Sequence, residues 1–318
     1  EVAHGTGDVR DLAAVSAAVA AVEPEIVFHL AAQPLVRPSY ADPRGTVETN
    51  VMGVANLLEA VRACRCVRVV VNVTSDKCYE NRETPRAYTE ADALGGRDPY
   101  SASKGCAELV TAAYRRSFFG AGSPVCIASA RAGNVIGGGD WAVDRVVPDC
   151  VRAIAAGGEV LVRRPDAVRP WQHVLESLSG YLWLGARLLL DGHVCDGAWN
   201  FGPAPDTGVT VAEVVEAFLA AYGAGSWRPA DTAGGQPHEA GLLLLDCAKA
   251  RAELGWRPVW DVRAAVARTA AWYRAWAAGG VDLRQALEDD ISAYVQAARG
   301  LDVAWTRGAA VTAEGAAS

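Results

Sequence analysis

No run of about 18 apolar residues occurs in this 318-residue chain, which excludes an α-helical membrane span. There is no long Lys/Arg run either. With 30 Lys+Arg against 37 Asp+Glu the formal net charge is −7, which argues against nucleic acid or an anionic membrane as the main partner. No charged-then-apolar leader opens the chain, so it reads as cytoplasmic. Eight cysteines in a chain this long do not make a disulfide framework. Cys64 and Cys66 are the one close pair, too tightly spaced for the usual zinc pattern, and the others sit mostly in apolar runs as small hydrophobes. No metal site is expected, and no internal repeat is visible.

What is present is globular: 51% hydrophobic and 21% charged residues, enough for one large domain or two ordinary ones. Leu12, Val15, Val19 and Val22 recur three and four apart behind Asp11, predicting a capped amphipathic helix. Apolar runs at Ile26–Leu30, Val67–Val73 and Val125–Ala130 alternate with helical stretches over 42–63 and 99–119. A helix over 174–190 and a strand at 199–201 continue the pattern. Uninterrupted apolar strands separated by helices imply an α/β fold, a doubly wound, Rossmann-like parallel sheet covered on both faces. Beyond Gly137 the elements shorten between glycines and prolines. The expected organisation is residues 1–137 plus 172–203 as the dinucleotide-binding part. A smaller interleaved α/β lobe takes 138–171 plus 204–290, with 291–318 as a tail, small and polar from Thr306.

The chemistry concentrates at Asp98-Pro99-Tyr100-Ser101-Ala102-Ser103-Lys104. Asp98 can cap and Pro99 fits a first turn, so Tyr100 and Lys104 fall four apart on one helix face. A free phenol, with a pKa near 10, is a poor base; lowering it by about three units takes roughly 4 kcal/mol. One ammonium at about 4 Å supplies that order of energy at an effective dielectric of 20. The pair can then deprotonate a secondary alcohol as hydride leaves its carbon. Taken alone, Tyr-x-x-x-Lys is equally a surface tyrosine beside a helix lysine. The context is more telling: the apolar run Val69–Val73 releases Thr74-Ser75-Asp76-Lys77-Cys78-Tyr79, and strand carboxyl ends form the ligand crevice of a doubly wound sheet.

Tyr100/Lys104, Ser75 and His29-Leu30-Ala31-Ala32 together resemble the extended short-chain dehydrogenase/reductase superfamily. Within it, Thr74–Asn81, Ala130–Trp141 and Arg169–Glu176 resemble the CDP-glucose 4,6-dehydratase family, a likeness running from about Gly7 to Tyr273. Lys77 is discriminating, because the related dTDP-glucose dehydratases carry an acidic residue there. The chain departs from the family pattern in having no Gly-x-x-Gly-x-x-Gly turn to cradle a dinucleotide pyrophosphate. With Glu1 in place of an initiating Met, the expectation is a copy lacking more than one βαβ unit and binding NAD or folding less well.

The resemblance implies conversion of CDP-glucose to CDP-4-keto-6-deoxyglucose and water, with NAD recycled, in deoxysugar biosynthesis. Tyr100, helped by Lys104 and Ser75, takes the 4-hydroxyl proton; Lys77 is the base at C5 and Asp76 the acid for the 6-hydroxyl. Lys77 must then be neutral and Asp76 protonated, each shifted from its ordinary state. Asp8, His29, Ala31, Ala32, Thr49, Tyr100 and Lys104 are carried over as NAD-binding residues, and Asn134 and Arg169 as substrate-binding ones. His173 reads as a packing or helix-start residue. A homodimer or homotetramer is implied through helices 42–63 and 99–119. The competing readings are an NAD-dependent nucleotide-sugar 4-epimerase and a catalytically silent fragment.

Overall fold

The computed structural model describes residues 2–204, 208–231, 239–280 and 282–307. Ile26–His29 (β1), Val69–Val73 (β2) and Cys126–Ala132 (β3) are short runs of branched or small residues. With Gly197–Phe201 they form one parallel sheet, ordered β1, β2, β3, Gly197–Phe201. Each falls within two residues of a strand expected from the sequence. Side chains alternate across the sheet. Val70 and Ile127 face the helices Leu12–Val22, Gly53–Ala63 and Pro99–Phe118, packing with Leu57, Leu58, Val61 and Ala107. Val69, Val71 and Ala128 face the helix Val174–Asp191, against Leu184 and Leu188. Both faces are covered, as the uninterrupted apolar runs require.

Asp11 caps its helix as expected, Oδ1 accepting from Ala13 N at 2.9 Å and Ala14 N at 3.2 Å. The helix expected over 42–63 is instead three pieces: Pro43–Val47, a π-helical turn at Glu48–Met52, and Gly53–Ala63. The wide turn carries Asn50, which is buried. Its side chain accepts from Gln33 N (2.8 Å) and donates to Gln33 O (3.0 Å) and to Ser103 Oγ (2.9 Å). These bonds satisfy the loop after β1.

A second core, built on Val147, Val151, Trp171, Phe218, Val266 and Tyr273, lies in the stretches assigned to the smaller lobe, and Ile136 from the 1–137 part joins it. Two parts of that assignment change. Leu245, Cys247, Ala250, Leu254 and Trp256 pack with Trp199 and Phe201 in the main-sheet core, although they fall within 204–290. The tail also starts later than residue 291: Leu283–Gly300 is helical, with Tyr294 and Ala298 buried. The cause is the buried Glu176 carboxylate, which needs donors and finds Val259 N (3.0 Å), Trp260 N (2.7 Å) and Tyr294 OH (2.8 Å). Residues 308–318 of the expected tail lie outside the described residues.

At the amino ends of the strands, His193 Nδ1 meets Asp196 Oδ2 at 2.7 Å and Nε2 meets Ser123 O at 2.9 Å. Asp196 Oδ1 accepts from Ile127 N at 2.9 Å, fastening this turn to β3. Cys126, His193 and Asp196 form the one three-membered group of metal-donor type among the described residues, and protein already engages both imidazole nitrogens. The hydrogen bonds to Asp196 and Ser123 raise His193 above its ordinary 6.5. A raised basic group contributes stability that is full below its unfolded pKa and is lost as pH rises through its folded value. Urea midpoints of the wild type should therefore fall just above pH 6.5, and those of His193→Gln should fall less. Equal slopes in the two chains would show that the pair contributes nothing.

Candidate active site

β1 and β2 run parallel with His29 opposite Asn72, so the segments leaving their carboxyl ends emerge side by side. After β2 the chain makes a 3-10 turn, Asp76–Cys78, started by Ser75, whose Oγ accepts from Lys77 N at 3.2 Å. Across from it the Pro99–Phe118 helix begins as its sequence dictates. Asp98 Oδ1 caps Ser101 N at 2.9 Å, Pro99 occupies the first turn, and Tyr100 and Lys104 are buried on one face. Lys104 Nζ donates to Val73 O at 3.3 Å, tying the helix to the tip of β2. Tyr100 N donates to Ser39 Oγ at 3.1 Å.

The Ser75 side chain acts on the Tyr100 phenol to pull its pKa down, and Lys77 Nζ stands 6.0 Å from the centre of the Tyr100 ring. Ser75 Oγ is 2.9 Å from Asp76 Oδ1, while Asp76 Oδ2 is buried with no partner among the described residues. Burial pushes the Asp76 carboxyl up, against the pull of Lys77 and Ser75. Burial also pushes the Lys77 amine down, against the pull of Asp76. Desolvation therefore presses each group toward its neutral form. Ser75 has one proton and two neighbours; with Asp76 protonated and donating to it, Ser75 can give its own proton to the Tyr100 oxygen.

The phenol departs from the expectation that Lys104 depresses it. Burial pushes Tyr100 up to about 12, and the Ser75 hydrogen bond is the main opposing influence. Lys104 is not among its leading influences: the ammonium donates to the Val73 carbonyl, and burial pushes it down to about 8.

Lys77, Asn134 and Arg169 share the wall of a cavity of about 170 Å³. Arg169 is buried, and its guanidinium is held by Val168 O at 2.9 Å and by Ala240 O. Arg145, Arg163 and Arg164 line the same cavity and were not expected. Arg163 and Arg164 follow the short strand Val160–Val162, a charge released at a strand end, the signal that marked Ser75. His29 is buried, its Nε2 unpartnered among the described residues, and burial together with Lys104 pushes it down to about 4. Ala31 is exposed, and Ala32 and Thr49 are half-buried. Asp8 lies at the surface, where Arg10 at 2.6 Å holds its carboxyl down to about 2. The structure does not bring it together with the Tyr100 cluster. His173 caps the Val174–Asp191 helix through Leu175 N (3.3 Å) and packs edge-on against Trp260.

The family described as GDP-mannose 4,6 dehydratase matches residues 2–197. The chain is 47% identical, over 92% of its length and 82% of the relative's, to a CDP-glucose 4,6-dehydratase of Salmonella typhimurium. Among solved structures it is similar to a dTDP-glucose 4,6-dehydratase from Streptomyces venezuelae with NAD bound (28% identity, TM-score 0.71, 84% of this chain and 78% of that one). It is also similar to a UDP-glucose 4-epimerase from Thermus thermophilus with NAD (27%, TM-score 0.72, 86% and 84%).

The charge states lead to a stability test. A carboxyl raised above its ordinary 3.8 costs stability once pH exceeds that value, because the fold then resists its ionisation. Asp76→Asn removes the cost and keeps the shape, so at neutral pH it should melt at or above the wild-type temperature. A midpoint several degrees lower would mean that the fold holds Asp76 ionised.

Proposed function

The chain belongs to the GDP-mannose 4,6-dehydratase family, and on that premise we propose that it converts CDP-glucose to CDP-4-keto-6-deoxyglucose and water, as a hydro-lyase of deoxysugar biosynthesis. The observation that carries this reading over 4-epimerisation is the pair of buried Asp76 and half-buried Lys77 beside Tyr100, each pressed by desolvation toward its neutral form. An epimerase needs no such pair, because it expels no water.

NAD is the cofactor. The residues present fit its nicotinamide-bearing end. His29 Nε2 is buried without a partner among the described residues, and Lys104 Nζ makes one hydrogen bond among them where an ammonium can donate three. His29, Ala31, Ala32, Thr49, Tyr100 and Lys104 would hold it there, with Asp8 toward the adenine. The sequence contains no Gly-x-x-Gly-x-x-Gly turn for the pyrophosphate. When bound, NAD would supply the hydride acceptor and donor that links C4 oxidation to C6 reduction.

The protons belong to the protein. Tyr100 Oη takes the proton of the 4-hydroxyl as the phenolate, a form that burial opposes and that the Ser75 side chain, and the positive charge of bound NAD, would favour. The 4-ketone acidifies C5, and Lys77 Nζ, a free amine, removes that proton while Asp76 protonates the 6-hydroxyl, which leaves as water. Lys77 gives its proton back to C5 as C6 is reduced. The proton gained at Tyr100 replaces the one spent at Asp76 through Ser75, which is bonded to both. Every residue is thereby reset.

Asn134 and Arg169, with the arginines of the cavity wall, are read as the nucleotide-sugar contacts, Arg169 toward the diphosphate. Exposed Met52, Leu109 and Phe118 on the helices flanking the site support a homodimer through that face, with a homotetramer as the larger assembly. Among the described residues no helix is long and apolar enough to cross a membrane, and the reading is of a cytoplasmic enzyme.

Incubated with CDP-glucose deuterated at C4, the chain should release a product one water lighter with the label at C6. Unchanged mass would indicate epimerisation, and label lost to solvent would refute internal recycling. Lys77→Met should still oxidise C4 but lower turnover by about 100- to 10,000-fold. Normal turnover of that variant would remove Lys77 from its role.

A further inference from the structure

Glu108 lies one helical turn beyond Lys104 and two beyond Tyr100, buried on the same face. Its Oε1 accepts from Thr74 Oγ1 at 2.5 Å and from Arg131 Nε at 2.9 Å. Its Oε2 accepts from Ser129 Oγ at 2.6 Å and from Arg131 Nη2 at 2.8 Å. Thr74 is the residue immediately before Ser75, Asp76 and Lys77. On the far side of that turn, Tyr79 OH accepts from Arg131 Nη1 at 2.9 Å and donates to Asn200 Oδ1 at 2.7 Å. Both ends of the turn are thus fastened to one buried ion pair, whose anion sits on the helix that carries Tyr100 and Lys104.

We propose that Glu108 is a positioning residue for the reaction proposed above, on which this inference rests. It fixes the Ser75–Lys77 turn against the Tyr100 helix and supplies the buried anion that keeps Lys104 charged. The titratable groups that face Lys104 are Glu108 from its own helix, the Cys78 thiol from the turn and His29 from β1, with Arg131 behind Glu108. Burial draws the ammonium down, and Glu108 is the leading influence opposing it. Without that anion Lys104 loses its proton at a lower pH, and the uncompensated Arg131 pushes in the same direction.

The two roles separate by substitution. Thr74→Val releases the turn but leaves the charges, and should lower kcat by about 10- to 100-fold with little change in KM. Thr111→Val is its control. Thr111 Oγ1 accepts from Asn72 Nδ2 at 2.7 Å, joining the same strand and helix without touching the turn, so its loss should cost stability but not kcat. If both variants lower kcat alike, the Thr74–Glu108 bond is merely structural and the positioning role is overturned. Glu108→Gln should move the alkaline limb of the pH profile of kcat/KM to lower pH, with Glu108→Asp restoring part of it. The chain has only three lysines, so a ¹³C-lysine spectrum, assigned with Lys104→Arg, follows Lys104 without substrate. Its titration should shift to lower pH in Glu108→Gln, and an unchanged titration overturns the electrostatic role. A wild type that leaves CDP-glucose unconverted would refute the proposed function, while the lysine titration would still decide the charge.

Discussion

A carboxylate shut away from water stays ionised only if something buried with it returns what solvation gave, and in this chain Glu108 has Arg131. The two meet through paired N–H···O bonds at 2.9 and 2.8 Å, both nearly without solvent contact. Breaking such a pair by removing one partner typically costs roughly 3–5 kcal/mol, because the other charge is left buried alone. The cost gives the pair its value as an anchor. Thr74 and Ser129 hang on its anion and Tyr79 on its cation, so β2, β3, the Ser75–Lys77 turn and the Tyr100 helix share one fixed point.

The groups on that turn are treated in the opposite way. Asp76 and Lys77 are adjacent and of opposite nominal charge, yet they are not joined as an ion pair; desolvation presses each toward its neutral form. Around the same turn, the balance of burial and hydrogen bonding lowers one acid and raises another. Glu108 has four donors, whereas Asp76 has one oxygen without any partner among the described residues. On the proposed function, stability is surrendered at the turn so that protons can move there.

The parts legible in the sequence are those governed by local rules. Asp98, Pro99, Tyr100 and Lys104 follow from capping and four-residue spacing, and Ser75–Lys77 from the end of an apolar strand. Glu108 continues the same spacing but needs Thr74, Ser129 and Arg131, up to 34 residues away, to acquire meaning. The state of the Tyr100 phenol is not legible, because spacing places Lys104 on the right face without fixing where its ammonium points, and Val73 O takes it. The helical end of the expected tail is hidden because its docking partner, Glu176, is a buried acid rather than an apolar stripe.

The π-turn at Glu48–Met52 sets the phase of the helix beyond it. Each residue of an α-helix advances about 100° around the axis, so one extra residue in a turn rotates the downstream surface by about that angle. Val54, Leu57, Leu58 and Val61 meet the sheet only after this rotation, while Asn50 points back into the loop after β1. Chain length through this segment is therefore a register setting. Conservative exchanges within it keep the alignment of helix, loop and strand end, whereas loss of a single residue turns the apolar seam of Gly53–Ala63 off the sheet and leaves Gln33 without its partner.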